Sequence, residues 1–150
     1  MPRRSGWQLT PRQSVELECA RRGPAQVVAG CVALLRRQEV DDNLVLALGG
    51  PLGQVVLDDG PRQVHQYWRR VWGARGLLYA WAGNLQSAES AVIEALSDEH
   101  WRVREMAAKV VAKRQLGAAL ERVADLREDK VPRVRAAAER AVVILTAAGR

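Results

Sequence analysis

Apolar residues recur along this 150-residue chain with the spacing of an α-helix, and no stretch of any length alternates with the period of a β-strand. Helix start and stop signals divide the first half of the chain into short segments. The pattern predicts an all-α fold with no sheet. Predicted helices run from Thr10-Pro11 to about Gly23, from Pro24, from Asp41 or Asp42 to Gly49, from Pro51 to Leu57, and from Arg62 to about Ala82.

The second half of the chain repeats itself. The heptapeptide Asp98-Glu-His-Trp-Arg-Val-Arg104 returns as Asp129-Lys-Val-Pro-Arg-Val-Arg135. Each copy follows a short predicted helix, at residues 86–96 and 116–127, and opens a longer helix whose apolar residues share one face. Self-similarity with a period of about 20–50 residues is typical of stacked repeats. We therefore expect an α-solenoid of antiparallel helix pairs, with about eight to nine helices.

These residues carry a resemblance to a known family. An Asp, a Val-Arg pair five residues later, two small residues on one face and an apolar pair resemble the short bacterial form of the HEAT repeat. The resemblance is clear over residues 86–147 and divergent over residues 24–85. The matching residues are Asp98, Val103, Arg104, Ala107, Ala108, Val110 and Val111, and then Asp129, Val134, Arg135, Ala137, Ala138, Val142 and Val143.

The resemblance implies that the second helix of each pair lines a concave face. It also implies a structural ladder between repeats, for which Asp98, Arg104, Asp129 and Arg135 occupy the matching positions. Proteins of this family are mostly protein–protein scaffolds, and a few branches bind DNA, excise damaged bases or attach tetrapyrroles. No residue matches the catalytic residues of those branches, and a pocket for a planar chromophore rests on fold analogy alone. We expect a single helical-repeat domain at residues 10–150 after a flexible N-terminus at residues 1–9.

The segment 62–82 departs from the repeat, and two registers are open for it. In the favoured register, Arg70-Val71-Trp72 matches Arg102-Val103-Arg104, and Arg75 takes the small-residue position of Ala107. Arg75 would then face the stack, where an unpaired guanidinium costs too much to keep. We therefore expect a carboxylate partner. The candidates are Asp41, Asp42, Asp58 and Asp59.

The second register shifts the segment so that Val64 and Trp68 match Val103 and Ala107, and it leaves Arg75 exposed. Core packing is the main interpretation of the tryptophans, since Trp is on average highly buried. A binding groove is the alternative, because Trp and Arg are enriched at binding surfaces. The candidate groove comprises Trp68, Trp72, Arg69, Arg70, Arg75, Arg102, Lys109 and Arg133.

The net charge of +6 is unevenly distributed, with +4 in residues 1–40, zero in residues 41–85 and +2 in residues 86–150. The repeats are thus nearly balanced, whereas nucleic-acid readers usually carry a basic stripe on one face. We expect a non-enzymatic scaffold or adaptor that binds another protein. The alternative is nucleic-acid binding through a basic concave face, with phosphate contacts from Arg69, Arg70, Arg102, Lys109, Lys113, Arg133 and Arg140.

Other chemistry finds little support in the sequence. Cys19 and Cys31 match no metal spacing, and His65 and His100 have no ligand or catalytic partner at a suitable distance along the chain. We expect no metal and no cofactor. No apolar run is long enough to span a bilayer and no signal peptide is evident, so a cytoplasmic protein is expected. The apolar run Val142-Val143-Ile144-Leu145 cannot face one side of a helix, and it predicts a covered C-terminal helix, for example in a homodimer.

Overall fold

The computed structural model describes residues 9–149, apart from the side chain of Arg62. These residues form helices and turns with no β-strand, which confirms the predicted all-α repeat fold. The flexible N-terminus predicted for residues 1–9 lies outside the described residues except for Leu9. The α-helices in the described chain are α1 (Pro11–Arg22), α2 (Pro24–Leu35), α3 (Asp42–Gly49), α4 (Pro51–Leu57), α5 (Tyr67–Tyr79), α6 (Leu85–Ala95), α7 (Trp101–Arg114), α8 (Leu120–Asp125) and α9 (Pro132–Ala148).

Side-chain caps set the start of several helices where the sequence predicts them. Thr10 accepts the backbone N–H of Gln13 at 3.1 Å, and the Gln13 side chain accepts the N–H of Thr10 at 3.0 Å. This reciprocal capping box satisfies two donors that the first turn of a helix leaves without an intrahelical partner. Asp41 caps α3 with a single bond, in which its carboxylate accepts the N–H of Leu44 at 2.9 Å.

The long helix predicted from Arg62 to about Ala82 is wrong at both ends, because the helix runs only from Tyr67 to Tyr79. Gln63 adopts a left-handed backbone conformation with φ of 54°, which ends the preceding 3-10 turn. The Asp59 carboxylate then accepts the backbone N–H of His65 at 2.8 Å and holds the chain in a turn before α5. At the other end, Ala80 is extended.

The chain divides into two compact units, residues 1–85 and residues 86–150, which we call unit 1 and unit 2. Unit 1 contains α1 to α5 and the divergent part of the sequence. Unit 2 contains almost all of α6 and the whole of α7 to α9, and it begins where the clear repeats begin. The two units build their cores differently.

In unit 1, α5 packs closely against α2 because two glycines face it. A Cβ at Gly73 would lie 2.8 Å from the Cys31 carbonyl oxygen and 3.0 Å from Leu34 Cβ, and one at Gly76 would lie 2.5 Å from Cys31 Sγ. Trp72 fills the space on another side of α5, where its ring lies against Gly49. The core of unit 1 around α5 therefore combines two glycines, which have no side chain, with the large side chain of Trp72.

In unit 2, alanine and valine perform the equivalent packing between α7 and α9. Ala107, Val110, Ala138 and Ala141 are fully buried. Small residues at such positions let two helices approach to about 8–10 Å. The last helix also buries Leu145 at its end.

Candidate functional site

The eight residues of the predicted groove are divided between the two units. Trp68, Arg69, Arg70, Trp72 and Arg75 lie on α5 in unit 1. The remaining residues, which lie on α7 and α9 in unit 2, are Arg102, Lys109 and Arg133.

Trp72 is a core residue, because only 2% of its surface is exposed. Its ring stacks on that of Trp68 with the centroids 6.1 Å apart, and Trp68 in turn contacts the ring of Tyr67 at 5.1 Å. Trp68 is half-buried. The core-packing interpretation therefore describes Trp72, whereas Trp68, the other tryptophan of α5, retains a surface on which a partner can pack.

Arg75 has a different partner from the one predicted. Its Nη2 donates to the backbone carbonyl oxygen of Leu48 at 2.7 Å, and no aspartate among the described residues pairs with it. Leu48 lies in the last turn of α3, where carbonyl groups lack an intrahelical donor and carry the negative end of the helix dipole. Burial lowers the pKa of Arg75 below its usual value. This arginine stabilises the end of α3, and the expected carboxylate partner is wrong.

Neither register proposed for α5 describes its packing. Val64 lies outside the helix and is exposed, which excludes the second register. In the favoured register Arg75 would take a fully buried position, yet the buried small residues of α5 are Gly73, Ala74 and Gly76. The small-residue face of α5 thus begins two positions earlier than predicted.

Arg69 and Arg70 line a cavity of about 430 Å³ in unit 1. Arg37, which follows the end of α2, also lines it, as do Glu39 and Gln66. We call this space the arginine cavity. The sequence places Arg69 and Arg70 in a candidate site, but it gives no signal that Arg37 joins them, because the three side chains meet only when α2 packs on α5.

In unit 2 the four residues assigned to the ladder make a repeated set of contacts. Arg104 donates from Nε and Nη2 to the two carboxylate oxygens of Asp129, at 2.7 and 3.1 Å. Its Nη1 donates to the backbone carbonyl oxygen of Asp98 at 2.9 Å, and in the next repeat Arg135 Nη1 donates to that of Asp129 at 2.7 Å. Such bidentate contacts fit the planar guanidinium of Arg.

The two aspartates of the ladder also shape the turns before the long helices. Asp98 accepts the backbone N–H of His100 at 2.8 Å, and Asp129 accepts that of Val131 at 2.9 Å. Burial by itself raises the pKa of Asp129, but the hydrogen bonds from Arg104 and Val131 outweigh burial, and the pKa lies below its usual value. Asp129 is therefore ionised at neutral pH and joins the two repeats.

Trp101, at the first position of α7, is the centre of a second cluster in unit 2. The guanidinium carbons of Arg102 and Arg133 lie 4.6 and 5.3 Å from the centroid of its ring. Glu105, which is buried, accepts from Arg133 Nε at 3.0 Å and lies 3.6 Å from Lys109 Nζ. We call these five residues the Trp101 surface.

The Trp101 surface contains all three unit 2 residues of the predicted groove, together with Trp101 and Glu105, which that prediction omits. A signal for Trp101 was present in the sequence, because it directly precedes Arg102 at the start of the repeat. The role of Glu105 had no such signal. A half-buried indole in contact with two guanidinium groups can bind apolar and anionic groups of another molecule at the same time.

The His, Cys and acidic residues and the apolar helices of residues 9–149 bear on metal binding and membrane spanning. No group of three or more His, Cys, Asp or Glu residues within it is arranged to hold a metal ion. No helix between residues 9 and 149 is long and apolar enough to cross a membrane. Burial raises the pKa of the Cys31 thiol to about 12, so this cysteine is inert at neutral pH.

Residues 70–142 match the family model of HEAT repeats. The match supports a HEAT-repeat protein, and it spans the segment from the first turn of α5 to the middle of α9. HEAT repeats are commonly protein-interaction scaffolds. Comparisons with curated proteins and with solved structures found no match.

Proposed function

We propose that the protein is a non-enzymatic scaffold or adaptor that binds another protein through the Trp101 surface. The observation that carries this proposal is the contact of Trp101 with the guanidinium groups of both Arg102 and Arg133, within the stretch that matches HEAT repeats. Trp and Arg are the residues that most often dominate the energy of a protein interface. Here they come from two successive repeats.

The cluster is organised before a partner arrives. Glu105 lies between Arg133 and Lys109, and its contact with Arg133 keeps that guanidinium close to the indole. Side chains that are already ordered lose less conformational entropy on binding. The Trp101 surface is thus suited to act as an anchor for a partner.

The test is affinity capture with the full chain immobilised and a native lysate passed over it. Proteins retained by the wild type should be lost from the Trp101→Ala variant, with an affinity decrease of about thirtyfold or more once a retained protein is titrated directly. Arg127→Ala is the matched control, since Arg127 is an exposed cation of unit 2 outside the Trp101 surface. Equal retention by all three chains would contradict the proposal.

Nucleic-acid binding, the alternative, has weaker support. Arg133 and Lys109 share the carboxylate of Glu105, and Arg102 lies over the indole, so the three cations of this surface are partly neutralised or engaged. Fluorescence anisotropy with labelled duplex and single-stranded DNA at low salt decides the matter. Binding that weakens steeply with salt and requires Arg102 and Lys109 would favour this function instead.

A second copy of the chain is a further candidate partner. Val143 on α9 is 56% exposed, and its neighbours Val142 and Ile144 are half-buried. We propose that a second α9 covers this apolar strip. Light scattering at increasing concentration should show a dimer that Val143→Asp abolishes, and a strict monomer at high concentration would remove the proposal.

A further inference from the structure

The arginine cavity of unit 1 is not part of the proposed Trp101 surface, but it has several features of a binding site. Three arginines from two elements reach it: Arg37 after the end of α2, and Arg69 and Arg70 from the first turns of α5. Its volume of about 430 Å³ lies within the range of about 300–1,000 Å³ typical of ligand sites.

A chain of hydrogen bonds fixes one wall of the cavity. The Gln66 side chain donates to the backbone carbonyl of Val56 at 3.0 Å and to the Asp59 carboxylate at 3.3 Å. Its carbonyl oxygen accepts from Nε of Arg69, which leaves the outer guanidinium nitrogens of Arg69 to donate elsewhere. Because its Nε is held in this way, Arg69 is oriented towards the cavity before any ligand binds.

Positive φ angles mark the ends of two helical segments beside the cavity. Arg37 and Gln63, both of which line the cavity, have positive φ angles of 61° and 54°. Gly60, also in the lining, has a φ of 57°. Arg37 closes the end of α2, where the N–H of Gln38 donates to the carbonyl oxygen of Ala33 at 2.8 Å, and Gln63 ends the 3-10 turn Gly60–Arg62. Two helix ends therefore form part of the lining.

The charge of the lining selects an anion. The lining contains three guanidinium groups and one carboxylate, that of Glu39, so its formal charge is positive, and Arg69 is the arginine whose outer nitrogens remain to donate. The planar guanidinium donates two parallel hydrogen bonds to a carboxylate. The rest of the lining includes glutamine amides and the half-buried Leu57, which can contact the stem of a side chain.

We propose that the arginine cavity binds the carboxylate side chains of an acidic segment in a partner protein. This inference rests on the proposed protein-binding function and names the chemistry of a second contact. A nucleic acid fits the cavity less well, because its phosphates follow one another along a strand and call for a basic stripe. The cations here line one concave site rather than a strip along the surface.

Fluorescence anisotropy with the full chain and a labelled peptide of alternating Glu and Gly residues tests the inference. Arg69→Gln should weaken binding by about tenfold or more, because one charged donor is lost. Glu39→Gln should strengthen binding about two- to fivefold, because a like charge at the cavity is removed. Arg12→Gln is the matched control, with the same loss of charge in unit 1 away from the cavity, and should leave binding unchanged.

The other possible results would overturn the proposal or assign the cavity to a different ligand. A peptide of alternating Gln and Gly that binds as well as the acidic peptide would overturn the proposal, and so would equal weakening by Arg69→Gln and Arg12→Gln. Free glutamate that competes as well as the peptide at equal carboxylate concentration would replace the protein partner with a small molecule. Duplex DNA that binds through Arg69 when the peptide does not would assign the cavity to nucleic acid.

The capture experiment with Trp101→Ala separates the inference from the proposed function. If the acidic peptide fails to bind while a Trp101-dependent partner is retained, the inference is wrong and the scaffold function stands. If neither binds, both are wrong.

Discussion

Each unit contains an arginine–aspartate pair that joins helices distant in sequence, and the two pairs differ mainly in burial. In unit 1, Arg22 contacts Asp41 at 2.8 Å, with 26% and 54% of the side chains exposed. In unit 2, Arg104 contacts Asp129 at 2.7 Å, with 11% and 7% exposed. Both aspartates also accept a backbone N–H at the start of a turn or helix. The same type of ion pair is therefore expected to stabilise unit 2 more than unit 1.

The contrast extends to the cores. In unit 2, buried alanines allow α7 and α9 to pack closely, and the buried ion pair of Arg104 and Asp129 joins the two repeats. Unit 1 instead has glycines on α5 and Trp72 against Gly49. A repeat can thus diverge when a large and a small side chain that fit each other replace the alanines of the original interface. Each new residue then depends on the size of the residue it packs against.

The largest expected effect is on the buried tryptophan of unit 1. Trp72→Ala should lower the free energy of unfolding by about 3–5 kcal/mol, since the ring is buried and its removal leaves a large cavity. Trp101→Ala, which removes the half-buried tryptophan of unit 2, should cost less than about 2 kcal/mol. Urea denaturation measures both. Similar losses for the two variants would break the distinction between a core and a surface tryptophan.

Next in size is the buried ion pair of unit 2. Asp129→Asn keeps an acceptor for the Val131 N–H but removes the charge, and should cost about 1.5–3 kcal/mol at pH 7. Because the folded pKa of Asp129 is lowered, its stabilisation is present above the unfolded pKa of about 3.9 and is lost as pH falls through the folded value. The difference between wild type and variant in urea titrations should therefore disappear in acid. A difference that persists at low pH would show that the charge is not its source.

Close packing of α2 and α5 through glycine is tested by Gly73→Ala. The added Cβ meets the Cys31 carbonyl, which is backbone and cannot rotate away, so a loss of about 1–3 kcal/mol is expected. Gly117→Ala is the matched control, because no atom lies within 4 Å of the added Cβ, and it should leave stability unchanged or raise it by about 0.4–1 kcal/mol. Thermal unfolding of the two variants would refute the account of unit 1 if both behaved alike.

The smallest effect is expected for the exposed pair of unit 1. Asp41→Asn retains a good N-cap for α3 and removes only the ion pair, and should cost about 0.2–1 kcal/mol at low salt. The hydrogen bond from Arg22 holds the pKa of Asp41 below its usual value, so this contribution too is lost in acid. At about 1 M salt the difference should vanish through screening. A cost equal to that of Asp129→Asn would remove the contrast between the two pairs.

The sequence predicted the helices well where local signals decide them. Thr10, Asp41 and Pro132 start helices as their capping and proline chemistry requires. The start of α5 was mispredicted, because apolar periodicity continues through Val64 while the left-handed Gln63 and the hydrogen bond from the His65 N–H to Asp59 interrupt the helix. That interruption depends on contacts between residues several positions apart, which periodicity does not show.

The candidate sites were predictable only in part. Arg102, Lys109 and Arg133 do meet in unit 2, but the carboxylate that engages two of them, Glu105, looks in sequence like any exposed helix residue. The partner of Arg75 could not be predicted, because the acceptor is a backbone carbonyl oxygen and every residue type has one. The sequence thus predicts which residues form a surface better than it predicts the groups within the chain that they contact.

Hydrogen–deuterium exchange of the full chain, with and without a captured partner, tests the central claim most directly. Binding through the Trp101 surface should slow exchange in the first turns of α7 and α9, and Trp101→Ala should abolish that protection while Arg127→Ala leaves it intact. Protection confined to other helices, with the first turns of α7 and α9 exchanging at unchanged rates, would contradict the claim that these repeats bind their partner through Trp101.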